Sequence, residues 1–172
     1  MAVSIDTVSN RQTDTRRHGV PGPRSGSRAY WRILVMFMLN AQMRDTMLLA
    51  ARILLSTLFL IMGWGKLTDF SGAVAYMAQT HVPFPALAAA VATVTELGLG
   101  LAVLAGVLTV PIALVLAAYT LVTGLIGHPF WSMSGMMRYD NMIHFYKNIS
   151  IIGGLLALAA AGPGRFALRP AN

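Results

Sequence analysis

The sequence contains no cysteine. That excludes disulfides, CxxC redox pairs, thiolate-held iron–sulfur clusters and cysteine nucleophiles together. Any electron chemistry must therefore borrow a carrier, such as a quinone, or a partner subunit. Charge is scarce too, at 11% of residues, against about 25% in an ordinary soluble domain. There is no GxGxxG before a strand–helix unit, no GxxxxGK[ST] loop and no serine nucleophile elbow, which sets aside dinucleotide, phosphate-loop and serine-hydrolase chemistry. The four histidines are scattered and lack paired carboxylate spacing, so no metal site is expected. Outside the N-terminal tail there is no basic, aromatic surface of the kind nucleic acid needs.

What is present is apolar. Hydrophobic residues make up 56% of the chain, more than a soluble core of 172 residues requires, and lipid is the solvent this composition suits. The length suggests one domain. The formal charge of +7 is unevenly placed, because seven of the thirteen basic residues (Arg11, Arg16, Arg17, Arg24, Arg28, Arg32 and Arg44) fall within the first 44 positions. Such a cluster sets membrane topology and contacts anionic lipid.

Residues 1–30 are rich in Ser, Thr, Arg, Gly and Pro and read as a disordered tail. Arg16-Arg17 is similar to a twin-arginine signal, but the nearest apolar run, Ile33 to Leu39, is short and starts late. A plain tail, or an amphipathic lead-in helix over 30–45, fits better. The expected division is thus a tail over 1–45 and a membrane domain over 46–169.

Four apolar spans are expected within that domain, over 47–64, 86–106, 110–127 and 142–161. Eighteen residues at about 1.5 Å each cover most of a ~30 Å hydrocarbon core. Thr109 and Pro111 suit a helix start, and Gly162-Pro163-Gly164 suits a stop. A few residues around Leu108 make spans two and three a tight hairpin. Between spans one and two, Phe70, Val74 and Met77 recur at helical spacing and predict a short interfacial helix. Residues 128–141 are expected to form a loop at headgroup depth. The fold class is therefore all-α, an integral membrane four-helix bundle with a disordered N-terminal tail. Basic residues at both ends place both termini in the cytoplasm.

Few residues in the spans can carry chemistry. Glu96 lies near the centre of span two, where a carboxylate costs at least ~2.5 kcal/mol unless neutral or paired. It shares a stripe of small residues with Ala88, Ala92 and Gly100. Similar stripes are Arg52, Ser56, Phe59 and Gly63 in span one, Ala113, Ala117, Thr120 and Gly124 in span three, and Lys147, Ser150, Gly154 and Ala157 in span four. Depths counted along the helices suggest a buried Arg52–Glu96–Lys147 network that keeps Glu96 ionised. The competing reading is that these charges only lock helix register. A second group, Lys66, His128, Trp131, His144 and Asn148, gathers at the outer end, where it could hold a quinone head, a small anion or a partner protein. Trp131 and Tyr139 also suit plain interfacial anchoring.

The order and spacing of several short elements resemble the DoxX family of small four-helix membrane proteins. They are Ala51-Arg52-Ile53-Leu54, Gly63-Trp64-Gly65-Lys66-Leu67, the Pro83–Pro85 turn, Thr95-Glu96-Leu97-Gly98, His128-Pro129-Phe130-Trp131, Phe145-Tyr146-Lys147-Asn148 and Gly162-Pro163-Gly164-Arg165. The resemblance covers about 47–169 and implies a multi-pass protein of the bacterial inner membrane. Some members are linked to thiosulfate:quinone oxidoreduction and others to membrane complexes that handle thiol or oxidative stress. By position the family pattern covers Arg52, Lys66, Glu96, His128, Lys147 and Asn148. The resulting expectation is a non-autonomous membrane subunit of a quinone-linked oxidoreductase, working with a soluble oxidoreductase or sulfurtransferase and no covalently bound cofactor. The alternatives are a small-solute or proton permeation protein, built as a homo-oligomer, and a membrane scaffold without a site.

Overall fold

A computed structural model describes the backbone of residues 26–168 and, from Trp31 onward, every side chain except those of residues 32–34 and 39. Residues 1–25 of the expected tail, with Arg16-Arg17, and Arg169 lie outside the described residues, whereas residues 26–45 of that tail are helical and form the first part of α1. The elements are α1 (Gly26–Thr68), α2 (Phe70–Gln79), α3 (Pro85–Ala105), α4 (Thr109–Gly127), a single 3-10 turn (Phe130–Ser132) and α5 (Gly135–Ala161). No strand occurs among the described residues. Four segments, Val35–Thr68, Pro85–Ala105, Thr109–Ser132 and Gly135–Ala161, are long and apolar enough to cross a membrane. Each overlaps one of the expected spans. Their outward side chains are those that lipid tolerates: Leu54, Leu87, Val94 and Val122 are each more than half exposed.

Helix boundaries follow local chemistry. The Asp69 carboxylate accepts the Gly72 amide and caps α2, an N-cap that supplies one of the first turn's missing acceptors. Pro85 opens α3 at a position where its absent N–H costs nothing. The α3–α4 hairpin turns through Gly106 (φ +77°) and Leu108 (φ +45°). Thr109 does not cap α4 as its type suggested: it is the helix's first residue, and its buried hydroxyl has no partner. Residues 135–141, expected to be loop, are the first two turns of α5. Arg138, Asp140 and Asn141 make that stretch too polar for an apolar-run criterion, although a helix emerging from a bilayer can carry them.

The core lies on one side of the bundle's midpoint, where Phe59, Val103, Leu116, Leu155 and Leu158 pack with Ala113 and Ala117. The small-residue stripes of α1, α3 and α4 are largely buried, as their patterns suggest. The stripe read into α5 is not. Lys147, Ser150 and Ala157 are exposed, and the face turned inward carries Leu155 and Leu158. The reason is complementarity: α4 already offers a groove of small residues, and large side chains from α5 fill it.

Candidate functional site

Two intramembrane charges are buried, and they are settled in opposite ways. Arg52 is 1% exposed. Its Nε donates to the Val103 carbonyl at 3.0 Å and one terminal nitrogen donates to the Pro163 carbonyl at 3.1 Å, while the other donates to Leu104. The carbonyls of Val103 and Leu104 belong to the last turn of α3, where intrahelical amides run out and the helix dipole is negative. Arg52 therefore caps α3 from a neighbouring helix and fastens the turn after α5 in the same fork. The same end is closed by further bonds, from Arg44 to the Ala161 carbonyl and from the Leu168 amide to the Ala105 carbonyl. There is no room beside the guanidinium: a Cβ on Gly106 would stand 2.5 Å from the Ala167 Cβ and 2.9 Å from the Arg52 guanidinium carbon.

Glu96 is 6% exposed and has side-chain partners instead. Lys66 Nζ lies 2.8 Å from Oε2 and 3.0 Å from Oε1, and the Tyr119 hydroxyl donates to Oε1 at 2.7 Å. Three helices thus meet at one carboxylate. Gly63 allows the approach: a Cβ there would lie 2.8 Å from Leu97 Cγ and 3.1 Å from Glu96 Cβ. Removing that Cβ brings α1 close enough to α3 for Lys66, three residues later, to reach the acid.

This corrects the expected Arg52–Glu96–Lys147 network, which does not form. Arg52 bonds seven residues beyond Glu96 along α3, about 10 Å by helix rise. Lys147 turns instead to His144, 3.0 Å from Nζ to Nδ1. Lys66, assigned by sequence to the outer end of span one, is the partner of Glu96, because α1 continues to Thr68 and carries it inside the bundle.

The ion pair forms part of the wall of a cavity of about 760 Å³ between α1, α2, α3, α4 and α5. Its walls are mostly apolar, with Leu58, Met62, Met77, Val91 and Ile126 among them. Its polar groups include Lys66, Asp69, Glu96, Tyr119, His128, His144, Lys147 and Asn148. That volume and mixture are typical of small-ligand sites. Helix α2 forms one wall through Ala73, Tyr76 and Met77.

The polar end is itself ordered. The His128 and His144 rings stack with centroids 5.0 Å apart and 22° between planes. His128 Nδ1 lies 3.0 Å from Asn141 Oδ1, and Asn148 packs against Gly124 on α4. Of the expected outer group, the cavity brings together Lys66, His128, His144 and Asn148. Trp131 stands apart: it is 56% exposed and packs edge-on against Phe130 and Phe145, an arrangement suited to anchoring at the membrane interface. Tyr119 was missed. A phenol in a span without charges needs a buried partner, and that was the available signal. No group of three or more metal-ligating side chains occurs among the described residues.

The sequence pattern of the DoxX family matches residues 47–129, which include Arg52, Lys66, Glu96, Tyr119 and His128. Over 125 residues the chain is 43% identical to the inner membrane protein YphA of Escherichia coli, covering 73% of this chain and 89% of that protein. It is 39% identical over 127 residues to the inner membrane protein YqjF of the same organism, covering 74% and 92%. No solved structure matches significantly. With four membrane-length apolar helices, three of which meet at a part-buried ion pair, the chain is a multi-pass inner membrane protein belonging to the DoxX family.

Proposed function

We propose that this chain is the membrane subunit of an oxidoreductase system and that its cavity takes the ring of a quinone. One observation carries the reading: a largely apolar cavity of about 760 Å³ has proton-bearing side chains along one part of its wall. A quinone ring is apolar on its faces and polar at its oxygens, and its reduction to a quinol consumes two electrons and two protons. Lys66 and Tyr119 donate protons to the Glu96 carboxylate in one hydrogen-bonded set, and Lys147 with His144 forms a second. The residues of the wall fit such a ring, with the apolar side chains of α1, α2 and α3 against its faces. The electrons are to come from a soluble oxidoreductase or sulfurtransferase docked at the membrane.

The Arg-rich N-terminal region favours an orientation with both termini in the cytoplasm. The cavity then lies in the outer half of the membrane. Because the chain has no cysteine, single cysteines at Ser134 and Ala167 report this directly. A membrane-impermeant maleimide should label the first and not the second in intact cells.

The permeation reading is weaker, because a path past Glu96 meets the packed core of Phe59, Val103, Leu116, Leu155 and Leu158 before the end closed by Arg52. The deciding experiment is titration of the purified protein with short-chain ubiquinone and menaquinone analogues. Saturable binding that weakens on Glu96→Gln is expected. Absence of saturable binding overturns the proposal.

A further inference from the structure

The two stacked histidines are held in opposite tautomers. Asn141 Nδ2 donates to the Met137 carbonyl at 2.9 Å, which fixes the side-chain amide and leaves Oδ1 facing His128 Nδ1 at 3.0 Å. An amide oxygen only accepts, so His128 carries its proton on Nδ1 and its Nε2 is a free acceptor. His144 is arranged the other way. Lys147 Nζ has only protons to offer and lies 3.0 Å from His144 Nδ1, so that nitrogen is the acceptor and neutral His144 carries its proton on Nε2. Neither Nε2 has a hydrogen-bond partner among the described residues. Both rings line the cavity, 5.0 Å apart. One wall therefore offers one unsatisfied acceptor beside one unsatisfied donor.

From this juxtaposition we infer that the cavity prefers the hydroxyl-bearing, reduced form of its ring ligand, a quinol, over the quinone. The inference rests on the quinone reading above and gives the redox form that the site selects. A quinone oxygen only accepts. It can accept from His144 Nε2–H, but it leaves the His128 Nε2 lone pair unmatched. A quinol hydroxyl does both, donating to His128 Nε2 while its oxygen accepts from His144. Sites that hydrogen-bond a ligand hydroxyl discriminate strongly against analogues lacking it, because their own polar groups are left unpaired. Asn141 acts here as a positioning residue, since it sets which histidine nitrogen is left as acceptor.

The test compares anaerobic binding of a short-chain ubiquinol and the matching ubiquinone to the full-length protein in lipid nanodiscs. The quinol is expected to bind at least about tenfold more tightly. His128→Phe keeps an aromatic ring for the stack but removes the acceptor, so it should weaken the quinol and relieve the penalty on the quinone, bringing the two affinities to within about twofold of each other. Asn141→Leu retains both histidines but frees the His128 tautomer, and should shrink the same ratio if His128→Phe does not fold. Equal binding of the two forms, or tighter binding of the quinone, overturns the inference and leaves the quinone reading standing. If neither form binds saturably, both fall. An unchanged ratio in a folded His128→Phe or Asn141→Leu protein also overturns the tautomer account.

Discussion

The two ends of this bundle each bury a charge that a bilayer resists, and they resolve the problem differently. At one end Arg52 spends its donors on backbone carbonyls of α3 and of the turn after α5. Those carbonyls are needed where they are, and the packing around the guanidinium is closed. At the other end Glu96 is met by side chains from two further helices, and its ion pair faces open volume. A charge satisfied by backbone holds helices in place. A charge satisfied by titratable side chains at the edge of a cavity is available for chemistry. Intramembrane charge alone therefore does not mark a site; under the proposed function, the identity of its partners does.

The contrast can be broken from either side. The largest effect is expected at the closed end. Arg52→Met orphans buried acceptors on two segments and should cost about 3 kcal/mol or more, read as a lower midpoint of unfolding in detergent micelles. Arg52→Lys should restore less than half of that loss, because an ammonium cannot replace a planar fork. Gly106→Ala places a side chain at φ +77° and 2.5 Å from the Ala167 Cβ, with an expected cost of about 2 kcal/mol by the same measurement. At the open end, Gly63→Ala should cost about 1–2 kcal/mol by forcing α1 from α3. It should also weaken ligand binding, since it separates Lys66 from Glu96. The smallest effect is Tyr119→Phe, which removes one hydrogen bond from Glu96 and should cost about 1 kcal/mol.

Much of this architecture was legible in the sequence because hydropathy and helix punctuation are local signals. The four spans, the short helix after Asp69 and the turn at Gly162 all follow from composition and spacing. The polar lead into α5 did not, because first turns that carry Arg138 and Asp140 have no apolar signature. The α5 packing face was misread for a different reason. Small residues mark an interface only if the facing helix does not already supply them, and that is a pairwise property. The same limit applies to the charges. Counting residues placed Arg52 and Lys147 near Glu96, but a long side chain can reach a turn or more along its neighbour. Which carbonyls lie free at the end of α3 is known only once the helices are assembled. Lys66 was recognised as a candidate and given the wrong neighbours, whereas Tyr119 passed unnoticed amid aliphatic residues.

The claim that one buried charge serves structure and the other serves a ligand is tested most directly by measuring quinone-analogue affinity and unfolding midpoint together in Arg52→Lys and Glu96→Gln. Glu96→Gln should weaken binding by about tenfold or more, the equivalent of one charged hydrogen bond, with a small change in midpoint. Arg52→Lys should lower the midpoint clearly, while the folded protein keeps its affinity within about twofold. The account is contradicted if Glu96→Gln binds the analogue as wild type does, or if Arg52→Lys loses affinity without losing stability.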